Sequence, residues 1–281
     1  MAEGQPERLR LGGMALRNGL LVHGPTSWAL AVRTPGGEIE VASGAKPSLA
    51  RGRLGKLPML RGPLRLAEGL AVLPLARRRL RSARLPFEDS RVIGAAIAVM
   101  AASAAARRLA RGSAAREAVI ATLGTLPALT ALRDRDLAAY HGAEHKAIGA
   151  YESGGRAADE PKEHERCGSN LVGPLLAFTV AGQVIVDQLL ERPGSLARGT
   201  ASLAATGAAV ELFAFAERRP EAAVSRAVHG TGHEIQRLVS TREPSADQLE
   251  VGEAALQELL RIEGVPADTV YEGPAVGPAA P

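Results

Sequence analysis

Two histidines and a glutamate lie within little more than one helical turn in YHGAEHKAIGAYE, residues 140–152. The stretch lacks proline and is followed by a pair of glycines, a pattern that predicts a helix ending there. On a helix, His141 and His145 project from the same face, with Glu144 beside them. Two imidazoles in this arrangement can hold one metal ion, and Glu144 can act as a base toward water on that ion. The spacing is H-x-x-E-H, although a purely polar helix face would show the same pattern.

A second group of ligand-type residues follows in KEHERCGSN, residues 162–170, where His164 and Cys167 are three positions apart. Imidazole and thiolate together suit zinc or iron, so we predict a divalent metal, with zinc favoured. Four protein ligands would close a structural site. Three histidines with Cys167 outside the coordination sphere would leave a position for water, as catalytic sites do. The alternative for Cys167 is a small buried apolar side chain. The complete predicted ligand set is His141, His145, His164 and Cys167.

Four apolar runs predict the fold class. Each is free of charge except for Glu211 in the last, and each is slightly shorter than the roughly 20 residues that cross a bilayer. Polar flanks and arginine side chains can extend them. We therefore predict a mostly α protein, a helical integral membrane bundle of about four apolar helices, with a soluble alanine-rich helical core as the alternative. The runs are residues 92–106, 118–132, 171–186 and 202–216.

The arginines around these runs bear on orientation. If all four runs span, residues 133–170 and both termini share one side, and the arginine-rich segment before the first run makes that side cytoplasmic. The predicted location is the inner (cytoplasmic) membrane, multi-pass, with the motif loop facing the cytoplasm. A single cysteine and the lack of an export signal agree with this. Arginines between the first two runs contradict the rule, so a re-entrant or interfacial hairpin is the alternative for that pair.

The segment before the runs divides into two parts. Residues 1–49 are Gly-rich and predict a small β element, a hairpin with one strand ending near Arg33 and the next starting near Glu38. Residues 50–91 form a basic amphipathic segment with leucines at roughly helical spacing. It predicts a helix lying on a membrane surface or, equally, a soluble helix with a solvated basic face. The leucines are Leu60, Leu64, Leu66, Leu70 and Leu73.

The rest of the chain divides into the membrane helical domain 92–216, a C-terminal helical segment 217–263 and a tail 264–281 predicted to be disordered. The C-terminal segment begins its last helix with a capping box from Ser245 to Gln248. That helix is amphipathic, with its leucines facing inward.

Charge and composition indicate the partners. The formal charge is +4, but aromatic residues are only 3% of the chain and the arginines flank apolar runs. Nucleic-acid binders usually combine basic clusters with polar and aromatic partners. We therefore predict membrane lipid as a partner and no nucleic acid, while the sequence leaves the substrate or protein partner unknown.

Four motifs carry a family resemblance. The opening segment GGMALRNGLLVHGPTSWALAVRTPGGEI, the two polar stretches above and QRLVSTREPSADQLEVGEAAL, residues 236–256, occur in the same order as in the bacterial YqhQ family. The chain resembles that membrane-associated family of unknown function, sometimes labelled a predicted metal-dependent enzyme, over nearly its whole length. The resemblance implies one polar cluster, which consists of His141, Glu144, His145, His164, Arg166 and Cys167. It also implies two departures, Asn18 where the family usually has Glu and Met14 where it usually has Gln.

Three functional hypotheses follow. The first is a metal-dependent hydrolase at the cytoplasmic membrane face, with Glu144 as catalytic base. The second is a non-enzymatic membrane scaffold that uses the His/Cys cluster structurally. The third is a metal transporter, for which only Asp187, Glu211 and Gln183 approach the required polar residues within the spans.

Overall fold

The computed structural model describes residues 8–49, 54–109 and 113–265. Its N-terminal part is a four-stranded antiparallel sheet in the order β1-β2-β3-β4. The predicted hairpin is confirmed as the β3–β4 pair, and the two preceding strands extend it into a meander. The strands are β1 Gly12–Leu16, β2 Gly19–His23, β3 Ser27–Arg33 and β4 Ile39–Ala45.

Nine α-helices are described after the sheet. Most lie where helical periodicity or apolar runs predict them, and a π-helical turn, Gln236–Ser240, directly follows α8. The helices are α1 Arg61–Arg79, α2 Ser90–Leu109, α3 Ala114–Leu123, α4 Leu126–Ala131, α5 Arg135–Ser153, α6 Val172–Leu189, α7 Ser195–Arg218, α8 Ala223–Ile235 and α9 Ala246–Glu263.

Both faces of the sheet are covered because its central strands are apolar on both sides. Side chains alternate between the faces of a strand. Leu20 and Val22 therefore pack against α5 and α9, whereas Leu21, between them, packs on the opposite side against α1. Leu21 pairs with Leu30 of β3, so the register puts matching residues on each face. The sheet thus holds α5, which carries the histidines, in a buried position.

Helix α1 differs from the membrane-surface prediction. Val72, Leu73 and Ala76 are buried against the sheet. Of the five leucines that suggested an amphipathic face, only Leu73 is buried, while Leu66 is exposed. The buried side chains of α1 therefore pack against the sheet. A role at a membrane surface remains a prediction for the exposed leucines of this helix.

Three helices are long and apolar enough to cross a membrane, within the residues that the structure describes: Ser90–Arg108, Gly168–Leu189 and Ser195–Arg218. The outward side chains support this, since Ile97 and Met100 of α2 are 63% and 71% exposed. The length and composition of these three helices indicate membrane association.

The prediction of about four apolar helices requires a correction at the run 118–132. This run forms two short helices, α3 and α4, separated at Gly124 and Thr125. Pro127 at the start of α4 cannot donate a backbone hydrogen bond, and Gly124 has the weakest helix propensity after proline. The interruption explains why the run is not one long helix.

The apolar helices separate two polar ends. Helix α6 begins five residues after Cys167 and, with 18 residues, is about 27 Å long. At its far end Asp187 pairs with Arg116 and Arg198. Glu117, which is fully buried, pairs with Arg107 and Arg116. The sheet and α5 therefore lie at one end of the bundle and this ion-pair network at the other.

Helix α9 has the predicted capping box, with Ser245 accepting from the Gln248 N–H and Gln248 reaching back to the Ser245 N–H. Leu256, Leu259 and Leu260 are fully buried against the sheet and α5, as predicted. Of the tail predicted to be disordered, residues 266–281 lie outside the described residues.

Candidate metal centre

Helix α5 positions the first two candidate ligands. The Asp134 side chain caps its start by accepting the N–H groups of Asp136 and Leu137. Gly154 ends it with φ of 79°, a left-handed conformation that glycine adopts without strain. One side of α5 packs on the sheet and α9. His141 and His145 lie instead on the wall of a cavity of about 630 Å³.

Three ligand atoms converge at this wall. One nitrogen each from His141 and His145 and the Cys167 sulfur all lie within 4.8 Å of one another. The Cys167 Sγ is 3.5 Å from His141 Nε2, and the two imidazole ring centroids are 4.4 Å apart. His145 and Cys167 are buried and His141 is partly buried. Cys167, which is 22 and 26 positions after the two histidines, is thus brought to them in a group that could hold a metal ion.

Backbone carbonyls orient both rings. His141 Nδ1 lies 2.8 Å from the carbonyl oxygen of Ser240, and His145 Nδ1 lies 2.6 Å from that of Lys162. Because a carbonyl oxygen only accepts, each Nδ1 must donate, which leaves the Nε2 lone pair available. Donation from the second ring nitrogen to a carbonyl is the usual support for a metal-binding imidazole.

Electrostatics keep His145 in the form that binds a metal. Burial lowers the pKa of His145 well below its ordinary value, and the nearby His141 lowers it further, against the hydrogen bond that His145 donates to the Lys162 carbonyl, which raises it. The neutral ring is the ligand form.

Glu144 is a buried carboxyl on the same cavity wall, 5% exposed. Burial raises its pKa to about 7; the charge of Cys167 also raises it, while His141 and His164 lower it. Gly13 of β1 makes room for this side chain, because a Cβ there would lie 2.7 Å from the Glu144 Cδ. The carboxyl is therefore held, buried, on the same cavity wall as the ligand group.

His164, the fourth predicted ligand, lies next to the group of three. Its ring centroid is 5.7 Å from that of His145. Its Nε2 is 3.1 Å from Glu152 Oε2, and Glu152 also pairs with Arg166. His164 is not one of the three converging ligands, and its coordination of a metal stays a prediction.

Hydrogen bonds hold the loop that carries His164 and Cys167. Gln236, in the π-helical turn, accepts the His164 N–H at 2.7 Å and donates to the His164 carbonyl at 3.1 Å. The Ser169 N–H is 3.5 Å from Cys167 Sγ. The loop is thus tied to the segment that supplies the Ser240 carbonyl.

Several of these supporting residues were not predicted from the sequence. Glu152 lies two helical turns beyond His145 in the quoted stretch, so its helical spacing could have indicated it. Gly13 and Gln236 carry no such local signal, because they come from β1 and from the turn after α8. Their proximity depends on the tertiary fold.

Lys146 has a structural partner. It is buried, donates to the carbonyl of Glu160 at 2.6 Å and pairs with Glu243 at 2.7 Å. Glu243 belongs to the segment after the π-helical turn, so this ion pair joins that segment to α5.

The remaining histidine pair lies elsewhere. His229 and His233 are on α8, and His229 lies beside Phe213 and 3.8 Å from Glu217. Neither belongs to the converging group. This leaves His229 as a natural control for experiments on the ligands.

The two departures from the family pattern have different surroundings. Asn18 lies in the β1–β2 turn, where its amide donates to the carbonyls of Arg33 and Ser82 and accepts from the Arg84 N–H. It does not line the cavity, whereas Met14 does. Asn18 therefore ties the sheet to the segment after α1, and nothing in its contacts involves the candidate ligands.

A small α/β unit joined to apolar helices long enough to cross a membrane, with a largely buried His/His/Cys group that could hold a metal ion, defines the class of protein. Residues 118–262 match the family described as "Protein of unknown function (DUF1385)", and the chain belongs to this family. The match is compatible with the resemblance to the YqhQ family. It covers α3 to α9 and so includes all three converging ligands. No curated protein and no solved structure matches the chain.

Proposed function

We propose that this protein is a metal-dependent hydrolase that cleaves an ester or amide bond in a substrate at the cytoplasmic face of the inner membrane. The observation that carries the proposal is the convergence of ligand atoms from His141, His145 and Cys167 within 4.8 Å. Glu144 lines the same cavity, and its carboxyl is not one of the three candidate metal ligands. These are the parts that metal-assisted hydrolysis requires.

The donor set favours zinc. Two imidazoles and one thiolate suit this ion, and three protein ligands are the usual number in catalytic zinc sites. The ion would supply Lewis acidity toward water and the substrate carbonyl. His141 and His145 would hold the ion through ring nitrogens and Cys167 through its sulfur, while Glu144 takes a proton from water and the same carboxyl returns that proton to the leaving group.

Two observations favour catalysis over the alternatives. The loop that carries Cys167 is held by hydrogen bonds to Gln236, so a metal is not needed to fix it, as a purely structural role would require. The acidic residues that suggested a transporter are paired with arginines: Asp187 with Arg198 at 2.6 Å and Glu211 with Arg61 at 2.7 Å.

The test is the metal content of the detergent-extracted protein. We expect about one zinc per chain, as a single structural or catalytic site holds, and its loss in His141→Ala and in His145→Ala. His229→Ala is the matched control and should keep the metal, because this histidine is outside the converging group. Elemental analysis of the purified variants measures the difference.

A chain without bound metal after purification with and without added zinc would overturn the proposal. So would retention of metal in both His141→Ala and His145→Ala. Loss of metal in His229→Ala together with the other two would indicate general unfolding, and circular dichroism in the same detergent identifies that case.

A further inference from the structure

The cavity that holds the candidate ligands has a second, apolar wall. Besides the ligand group it is lined by Leu70 of α1, Val92 of α2, and Ala131 and Leu132 at the end of α4. Its polar and apolar walls meet at α5, where Leu137 lies one helical turn before His141. A molecule that fills this cavity therefore needs one polar and one apolar part.

The apolar wall is continuous with the surface that faces a membrane. Val92 belongs to the first turn of α2, one of the helices able to cross a bilayer. Leu70 and Phe87 line the cavity yet are 52% and 51% exposed, so they mark its mouth. Phe87 is three residues before the start of α2. The cavity thus opens beside the point where α2 enters the apolar layer.

We propose that this cavity binds the acyl chain of a membrane lipid and presents its ester carbonyl to the ligand group. The cleavage step rests on the hydrolase function proposed above, whereas the binding step does not. At the apolar wall formed by Leu70, Val92 and Leu132, an extended peptide would find no partners for its N–H and C=O groups, whereas the edge strand β1 lines another part of the cavity. An acyl chain has no such groups.

The chemistry balances with water alone. The water oxygen forms a bond to the acyl carbon, and the bond between that carbon and the ester oxygen breaks. One hydrogen of water remains on the fatty acid and the other passes, through Glu144, to the alcohol that leaves. No oxidant or reductant is required.

Binding of cis-parinaric acid, a fluorescent fatty acid, tests the apolar wall directly. The full chain is purified in digitonin, whose rigid sterol body does not mimic an acyl chain. We expect saturable binding, weakened about tenfold in Ala131→Phe, which fills the cavity. Leu129→Phe, on the same helix and not lining the cavity, should bind within about twofold of wild type.

A second pair of variants, at exposed positions, controls for misfolding. Leu70→Gln puts an amide at the exposed mouth and should weaken binding about threefold or more, whereas Leu66→Gln, exposed on the same helix and not lining the cavity, should not. Equal binding by wild type, Ala131→Phe and Leu70→Gln, or no saturable binding, would overturn the acyl site.

Ester cleavage separates this inference from the proposed function. The metal-loaded protein should hydrolyse para-nitrophenyl palmitate, and Ala131→Phe should lower that activity about tenfold more than activity on para-nitrophenyl acetate. If Ala131→Phe changed the two rates equally, or changed neither, the acyl site would be rejected and the hydrolase proposal would stand. Saturable, Ala131-sensitive binding without cleavage of either ester would support the acyl site and reject the hydrolase.

Discussion

At the scale of single residues, Glu144 supports a catalytic rather than a structural role for the proposed site. It lies between two candidate ligands in sequence and is buried on the cavity wall, but its carboxyl is not part of the converging group. A structural site would not need a carboxyl there. Gly13 leaves the space that this side chain occupies, so the sheet and the candidate base are packed together.

Replacement of Glu144 by glutamine should separate metal binding from turnover. The amide has the same shape but cannot accept a proton usefully, so we expect full metal content and a loss of kcat of about 10²- to 10⁴-fold on a model ester. Glu165→Gln, an exposed carboxylate in the neighbouring loop, should change neither quantity. Unchanged kcat in Glu144→Gln would contradict its role as base.

At the scale of elements, the close contact between α5 and the segment after the π-helical turn orients the first ligand. The Arg242 N–H donates to the Ala138 carbonyl at 2.9 Å, and the Arg242 carbonyl oxygen lies against Gly142. Ser240, the last residue of the π-helical turn, precedes this segment, and its carbonyl accepts the His141 Nδ1–H. A shift of this segment would therefore turn the His141 ring.

A methyl group at Gly142 should produce that shift. A Cβ there would overlap the Arg242 carbonyl oxygen, which belongs to backbone and cannot move alone. We expect Gly142→Ala to cost about 1–3 kcal/mol in free energy of unfolding and to reduce bound metal.

The matched control is Gly149→Ala on the same helix. Its Cβ would lie 3.3 Å from Glu160 Oε2, the far end of a flexible side chain. Thermal unfolding and elemental analysis in one detergent compare the two variants. Wild-type metal content and Tm in Gly142→Ala would refute this account of how His141 is oriented.

At the scale of the whole molecule, the sheet with α5 and the far ion-pair network lie at opposite ends of the apolar helices. Helix α6 runs from beside Cys167 to Asp187, and α7 returns to Glu211, which pairs with Arg61 of α1. The exposed apolar side chains of α2, among them Ile97 and Met100, fit lipid contact better than water contact. In a membrane, this arrangement would put the polar site at one surface.

Cysteine labelling in intact cells tests this arrangement. In a chain with Cys167 replaced by alanine, Glu191→Cys lies in the α6–α7 connection and Glu38→Cys in the exposed β3–β4 turn. We expect a membrane-impermeant maleimide to label Glu191→Cys only, and Glu38→Cys to react after the cells are lysed. Labelling of both in intact cells would reject the proposed placement of the site on the cytoplasmic side.

Local patterns in the sequence were sufficient to predict several of the elements. The helix that carries His141 and His145, the β3–β4 hairpin, the capping box at Ser245 and most apolar helices follow from spacing and turn residues, because these signals act over a few neighbouring residues. The break between α3 and α4 also has a local cause in Gly124 and Pro127. Hydropathy alone predicts one helix over residues 118–132.

Only the tertiary structure decided which side chains meet. Three features depend on contacts between segments far apart in the chain. They are the convergence of Cys167 with the two histidines, the hydrogen bond between His164 and Glu152, and the support from Gly13, Gln236 and Ser240. Such contacts are set by how whole elements pack, and no spacing within one element encodes them. The sequence by itself therefore determined the candidate ligands and their helix, whereas packing of the sheet, α5 and the segment after α8 decided that three of them share one site.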